Sequence, residues 1–276
     1  LFPGLAVGEA LKSRQARVTL MISPKAVDQQ AVKHVRGMDV VTLPAVALQR
    51  GSRWSFAAHV VAAVRVSLRQ FRQHRPRALL AMGGFTCAGP VLAARWLRIP
   101  VFLHESNTIP GRANRWLARL ASEVFVGFPS AASRFPRGAT VIGTPVRLRP
   151  APIEDSTCRH LMGLDPDRPV ILVIGGSQGA AAINEVAVRA LPGARSLLPH
   201  WQWLHLTGPA DEARVRAAYA AEGLSAAVHG FWGRMDLAWR AATAAVARAG
   251  ASSMAEMAAL RVPSVLIPFP HAADNH

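Results

Sequence analysis

The chain has 276 residues, 51% of them hydrophobic, enough for one large domain or two ordinary ones with cores of their own. Only 17% are charged, yet the net charge is +16, carried by arginine, with Lys12, Lys25 and Lys33 the only lysines. Two distant cysteines, Cys87 and Cys158, exclude a disulfide framework and a cysteine-based zinc site, and no apolar run approaches the roughly 18 residues of a membrane span. Leu1-Phe2-Pro3-Gly4 reads as a helix entry, with Pro3 near the first turn. Short apolar, β-branched runs then alternate with helical patterns. Strands are predicted at Val18–Ile22, Val40–Leu43, Ala78–Met82, Val101–His104, Val124–Val126 and Thr140–Ile142. Further strands are predicted at Val170–Ile174, Trp203–Leu206, Ala245–Ala247 and Ser264–Ile267. Helical stretches of ten to twenty residues separate most of them, the rhythm of βαβ units around parallel sheets.

Pro145, Pro150 and Pro152 mark a break, after which a second βα series starts. The fold class read from this is α/β, with two similar domains, 1–149 and 150–276, joined near Arg147–Ile153. Residues 1–149 hold 22 Lys+Arg against 5 Asp+Glu, and residues 150–276 hold 10 against 11. A basic half implies a polyanionic partner (nucleic acid, an anionic membrane or a pyrophosphate) or simply a solvated basic surface. An internal echo supports the two domains. Ala78–Glu105 and Ala244–His271 both run strand, glycine turn, helix, Leu-Arg-Ile/Val-Pro, strand.

Five stretches could carry chemistry. In Val173-Ile174-Gly175-Gly176-Ser177-Gln178-Gly179-Ala180 a buried strand meets a glycine-rich turn and a helix start, where free amides and the helix dipole favour a phosphate. It matches neither the dinucleotide fingerprint nor the Walker loop, and a ligand-free turn is the other reading. Arg248–Glu256 repeats the design, with Glu256 placed to hydrogen-bond a sugar diol or to cap the helix. His104-Glu105-Ser106-Asn107, with Gly111 and Asn114, follows a strand and offers proton transfer or sugar contacts, or is a polar capped loop. Met82-Gly83-Gly84-Phe85-Thr86 is a second candidate anion turn or plain turn chemistry. Trp54, Ala58, Val61, Val64, Leu68 and Phe71 share one helical face, with Arg65, Arg69, Arg72 and Arg75 on another. That is a membrane-surface helix or a core helix with a solvated arginine face. No zinc pattern, serine-hydrolase elbow, kinase set or D-x-D metal pair is present, so no metal or other cofactor is expected.

Leu1-Phe2-Pro3-Gly4-Leu5-Ala6, Met82-Gly83-Gly84-Phe85, His104-Glu105-Ser106-Asn107, Gly143-Thr144-Pro145-Val146-Arg147, Gly175-Gly176-Ser177-Gln178-Gly179-Ala180 and Pro268-Phe269-Pro270-His271 occur in this order along the whole chain. In this the chain resembles the MurG family. These enzymes transfer N-acetylglucosamine from UDP-GlcNAc to the muramyl 4-hydroxyl of undecaprenyl-pyrophosphoryl-MurNAc-pentapeptide (lipid I). The resemblance implies a GT-B fold, two Rossmann-like domains with parallel sheets facing across a cleft, and an inverting transfer without a metal. It implies that Ser177, Gln178, Gly179 and the turn Ala251-Ser252-Ser253-Met254-Ala255 contact the donor phosphates, and that Glu256 holds the ribose. The backbone at Phe231-Trp232 would read the uracil, Asn107 would touch the GlcNAc hydroxyls, and Arg147 would lie at the donor. His104 and Glu105 are the candidate catalytic pair, and Gly83, Gly84, Phe85 and Asn114 fall on the cleft and acceptor side. Trp54, Val61, Val64, Leu68, Phe71, Arg65, Arg69 and Arg72 match the membrane-associating region, which implies a peripheral place on the cytoplasmic face of the inner membrane. Lipid I, the anionic membrane surface and proteins of wall synthesis and division are the implied partners.

The chain is expected to be a piece lacking both ends. The family's first strand, its glycine loop and a histidine that is a leading candidate base stand before the position of Leu1, and a donor-sugar glutamine follows that of His276. The piece itself is therefore expected to be impaired. Other readings are another GT-B lipid glycosyltransferase, a UDP-sugar epimerase, or a non-catalytic basic membrane-binding protein. RNA is disfavoured, since aromatic stacking signatures are missing and Tyr219 is the only tyrosine.

Overall fold

The computed structural model describes residues 1–33, 35–44, 53–147, 153–175 and 181–268. The chain divides into two compact units, Leu1–Pro145 and Val146–Asn275, a boundary four residues before the expected one.

In the first unit, helix α1 (Phe2–Ser13) leads to strand β1 (Thr19–Ile22), α2 (Ala26–Val32) and β2 (Asp39–Thr42). Then come α3 (Arg53–His74), β3 (Leu79–Ala81), a 3-10 turn at Phe85–Cys87, α4 (Ala88–Trp96) and β4 (Val101–Glu105). The unit ends with α5 (Arg112–Leu117), β5 (Glu123–Val126), α6 (Pro129–Ala132) and β6 (Thr140–Val141). β1 and β2 pair in parallel, and β3-β4-β5-β6 form a parallel sheet in sequence order. A cavity of about 1010 Å³ is lined by residues of β1, β3 and α1. Because β3 to β6 are sequential and parallel, the loops after them, Met82–Gly84, Ser106–Gly111, Gly127 and Ile142–Thr144, gather at one end of the sheet.

Helix α3 corrects the predicted face. Its fully buried residues are Ala63, Ser67 and Phe71, while Val64 and Leu68 are half-buried against the core and Val61 is 48% exposed. The small residues decide the packing. A Cβ at Gly89 of α4 would stand 2.6 Å from Ala63 Cβ and 2.9 Å from the Ala63 carbonyl carbon, so the two backbones nearly touch. Gly89→Ala gains up to about 1 kcal/mol of helix propensity but forces apart a backbone contact, which costs about 1–3 kcal/mol. A net loss of about 1 kcal/mol is expected by urea unfolding. A stabilised variant would show that the helices separate freely.

The second unit runs α7 (Asp155–Leu161), β7 (Val170–Ile174), α8 (Ala181–Leu197), β8 (Gln202–Leu206), α9 (Glu212–Ala221) and β9 (Ala226–His229). It continues with α10 (Met235–Ala241), β10 (Ala244–Arg248), α11 (Ala251–Leu260) and β11 (Ser264–Ile267). All five strands are parallel in the order β11-β10-β7-β8-β9. β9 is the strand the sequence reading missed. The buried runs Val170-Leu172-Ile174 and Leu204-Leu206 pack with Trp239 of α10 and Met257 of α11 on one face. Val173, Trp203 and Val228 pack with Ile183 of α8 and with Val215 and Tyr219 of α9 on the other, the two-faced burial of a doubly wound sheet.

Candidate active site

The strand order of the second unit turns back at β7. From β7 the chain winds outward through β8 and β9, then crosses to β10 and β11 on the other side. Such a switch point opens a crevice at the carboxyl ends of the two strands that flank it. Here Ile174, the last residue of β7, lies in register with Ala247 of β10. The two glycine turns found in the sequence therefore leave the sheet side by side, one through Gly175 and the other through Ala249-Gly250. Ser177, Gln178 and Gly179 lie outside the described residues. The helix after them, α8, starts at Ala181, and α11 starts at Ala251.

At the start of α11, Gly250 is the N-cap without a side-chain cap, and the Met254 amide already bonds to the Gly250 carbonyl. The amides of Ala251, Ser252 and Ser253 thus have no acceptor within the helix, the arrangement that attracts an anion. These residues, with Met254 and Ala255, are half-buried. Glu256 sits one turn further. Its Oε2 accepts the indole N–H of Trp239 at 2.6 Å. Burial, with Asp236 as a like charge nearby, raises its pKa above the ordinary carboxylate value, against the pull of the Trp239 hydrogen bond. Trp232 is half-buried, donates its indole N–H to the Arg234 carbonyl at 3.1 Å, and packs on His229 with ring centroids 4.9 Å apart. Arg147, half-buried, lies two residues into the second unit.

The sequence reading missed a buried network that ties the start of α8. Asn184 Nδ2 donates to the Thr207 carbonyl at 2.9 Å and to Asp211 Oδ2 at 2.8 Å. Its Oδ1 therefore faces His205 Nε2, 3.1 Å away, and His205 Nδ1 faces the Tyr219 hydroxyl at 3.2 Å. Asn184, His205 and Thr207 are all fully buried. The one legible signal was a histidine inside an apolar strand, Trp203-Leu204-His205-Leu206.

In the first unit the structure brings Glu105, Asn107, Gly111, Asn114, Gly83 and Gly84 together and ties His104 to Gly143 and Ser106. Glu105 is only 3% exposed. Its Oε1 accepts the Asn107 amide at 2.9 Å, and its Oε2 accepts the Gly111 amide at 3.0 Å and Asn114 Nδ2 at 2.7 Å. Asn114 Oδ1 then accepts the Gly84 amide at 3.1 Å. Gly83 and Gly84 have φ of +87° and +83°, and a Cβ on Gly83 would meet Asn114 Nδ2 at 2.6 Å, so this turn needs its first glycine twice over. Phe85 opens the 3-10 turn with Lys25 Nζ 5.5 Å from its ring centroid. His104, also buried, has Nε2 2.9 Å from the Gly143 carbonyl and Nδ1 3.3 Å from Ser106 Oγ. The carbonyl can only accept, so Nε2 carries the proton and Nδ1 accepts from the serine. Burial lowers the His104 pKa, against the Gly143 contact and Glu105, which both raise it. Both side chains are hydrogen-bonded to the loops around them, the polar capped loop that the sequence also allowed.

The predicted membrane residues separate. Arg65, Arg69 and Arg72 are exposed, as is Val61, but Phe71 belongs to the core at 7% exposure, with Val64 and Leu68 packed against that core. The side chain of Trp54 lies outside the described residues. Trp96, at the end of α4, is 77% exposed between the exposed Arg95 and Arg98, a surface aromatic that the sequence reading did not single out.

Comparison with known proteins gives the family. The glycosyltransferase family 28 N-terminal domain matches residues 1–126, and the family's C-terminal domain matches residues 170–276. The UDP-N-acetylglucosamine--N-acetylmuramyl-(pentapeptide) pyrophosphoryl-undecaprenol N-acetylglucosamine transferase of Moorella thermoacetica is 35% identical over 292 residues, covering 100% of this chain and 77% of that protein. The chain belongs to the MurG family. The transferase of the same name from Protochlamydia amoebophila is 38% identical over 218 residues, with 76% of this chain and 56% of that protein covered. The one from Xanthomonas euvesicatoria pv. vesicatoria is 36% identical over 290 residues, with 100% and 63% covered. The chain thus spans less than two thirds of the length of these last two relatives. The crystal structure of MurG from Acinetobacter baumannii matches with a TM-score of 0.69 at 27% identity, over 100% of this chain and 76% of that one. The glycosyltransferase SnogD from Streptomyces nogalater matches in fold, with a TM-score of 0.66 at 18% identity over 100% of this chain and 80% of that one. The chain's two Rossmann-like units have the GT-B fold class of the MurG family.

Proposed function

We propose that the protein transfers N-acetylglucosamine from UDP-GlcNAc to the muramyl 4-hydroxyl of lipid I; the names of its relatives give the donor, the lipid-linked acceptor and the sugar moved. The observation that carries this reading is the pair of strands β7 and β10, which end in register at the switch point of the second unit, with the start of α11 and Glu256 following β10. The amides of Ala251–Ser253 and the glycine-rich segment 175–180 hold the diphosphate, and Glu256 accepts from the ribose diol. Asn107 is assigned to the GlcNAc hydroxyls and Arg147 to the donor, as the family resemblance implies, and the backbone at Phe231-Trp232 to the uracil.

The chemistry is a single displacement with inversion. The acceptor oxygen forms a bond to the anomeric carbon of GlcNAc, its proton passes to a base, and the electron pair of the breaking bond leaves on the β-phosphate oxygen of UDP. Helix N-termini stabilise the charge that develops there, so the reading needs no metal. Glu105 and His104 serve by fixing the loops that carry Asn107, Asn114 and Gly143. The lipid-linked acceptor brings the protein to the inner face of the membrane, where Arg65, Arg69, Arg72 and Trp96 meet anionic headgroups. Among the described residues no helix is long and apolar enough to cross a membrane.

The test is transfer of labelled GlcNAc from UDP-GlcNAc to a soluble lipid I analogue by the full gene product. Glu256→Ala should lower kcat/KM about 10-fold or more, as expected for a lost hydrogen bond to a charged group. Intact UDP-GlcNAc binding without transfer would reject this acceptor. Binding to anionic vesicles should weaken as salt rises and on replacing Arg65, Arg69 and Arg72 with glutamine; salt-independent binding would reject the arginine face.

A further inference from the structure

Trp239 lies in α10, fully buried in the core that α10 and α11 share on one face of the second sheet. An indole N–H can only donate, and a buried one needs an acceptor. The core cluster it belongs to, which includes Cys158, Met162, Leu172, Ala245 and Met257, offers no strong side-chain acceptor. The acceptor it has is Glu256 Oε2, at 2.6 Å, a short hydrogen bond to a carboxylate. Among the described residues this is the one hydrogen bond that the Glu256 carboxylate takes, so the contact occupies one oxygen and leaves the other.

A carboxylate on a helix surface ordinarily turns about its last bond, since that torsion is broad. A donor rooted in the core removes this freedom, and a pre-oriented group loses less entropy when it binds. We propose that Trp239 is a positioning residue for the donor nucleotide: its indole N–H pins Glu256 Oε2, so that Oε1 is presented to the vicinal diol of the ribose. The proposal rests on the reading of Glu256 as the ribose contact. It assigns to Trp239 a share of the selectivity for a ribonucleoside diphosphate.

The experiment measures the affinities of UDP and of 2′,3′-dideoxy-UDP for the protein, its Glu256→Ala variant and its Trp239→Phe variant. Wild type should prefer UDP by about 10-fold or more, and Glu256→Ala should abolish the preference. Trp239→Phe removes the donor and keeps an aromatic ring. It should cut the preference to a few-fold while the dideoxy affinity stays within about twofold of wild type. If Trp239→Phe weakens both ligands equally, or keeps the full preference, Trp239 is a core residue and the proposal fails. If wild type itself shows no preference, the ribose reading of Glu256 fails and the proposal falls with it.

A second readout needs no tryptophan variant. In wild type the bonded indole N–H of Trp239 should give a downfield proton signal, and Glu256→Ala should move that one signal, among those of the seven tryptophans, upfield. An unmoved indole spectrum overturns the proposal, even where Trp239→Phe does not fold.

Discussion

Glu105→Ala is expected to lower the melting temperature by about 10 °C and to abolish transfer at 37 °C, whereas Glu105→Gln should lose about half as much stability and keep measurable turnover. The carboxylate is buried and takes three donors, the amides of Asn107 and Gly111 and Asn114 Nδ2. Alanine removes every acceptor and leaves these donors unpaired in a buried site. Each orphaned donor costs about 1–3 kcal/mol, and partial relaxation brings the sum to about 3 kcal/mol. In a unit of this size 1 kcal/mol corresponds to about 2–4 °C. Glutamine can turn its carbonyl oxygen to the Oε2 position, where two donors meet. Its NH2 then faces the Asn107 amide, so a single donor is opposed.

This series separates two roles for Glu105. A base that takes the acceptor proton would lose activity with glutamine while its stability scarcely changed, and the acidic limb of the pH–rate profile would vanish. A carboxylate that only holds loops gives the reverse: the melting temperature falls in the order wild type, glutamine, alanine, and the glutamine variant keeps the wild-type pH profile. Thermal unfolding and pH–rate curves on the three proteins decide it. An unchanged melting temperature in Glu105→Gln with turnover lost would sink the holding role.

Why some of this was legible in the sequence and some was not follows from where each signal lives. Strands buried on both faces, such as Val170–Ile174, are continuous apolar runs, and the glycine turns after them announce the helix starts. β9 was missed because Ala226-Ala227-Val228-His229 holds a single β-branched residue. The face of α3 was misread because periodicity weighs large side chains. The contact is made by Ala63 against Gly89, and small size is invisible to an apolar count. At His104-Glu105-Ser106-Asn107 the sequence located a polar site at the end of a strand. It could not tell that the hydrogen bonds run inward, to Gly143, Gly111 and Asn114, because these partners are brought by other turns. The Asn184–His205–Tyr219 network lay hidden for the same reason, its members being on α8, β8 and α9.

That network should make the second unit sensitive to mild acid. Asn184 spends its N–H groups on Thr207 and Asp211, so its oxygen must accept from His205 Nε2–H. His205 Nδ1 is then the acceptor of the Tyr219 hydroxyl, whose pKa burial pushes up, so it stays a donor. A proton on Nδ1 would meet that hydroxyl and put a charge into the core. Accordingly burial lowers the His205 pKa to about 4, with Asp211 raising it slightly. The unfolded chain takes the proton near the ordinary value of about 6.5 and the folded chain does not. Stability is therefore full above about 6.5 and is lost as the pH falls towards 4. Between pH 7.5 and pH 5 the loss is about 2 kcal/mol, at 1.36 kcal/mol per unit of pH across the window. His229, its pKa also lowered by burial, adds in the same direction. Glu256 opposes, because its raised pKa lets the folded chain take a proton first. The net change in wild type alone is thus uninformative. His205→Gln keeps a donor and an acceptor at the two positions but cannot titrate. In urea unfolding at pH 7.5 and 5 it should lose about 2 kcal/mol less than wild type. Equal losses would mean that His205 already takes its proton in the folded chain. The network would then have an exit to water, and it would not hold the first turn of α8 as a closed, neutral unit.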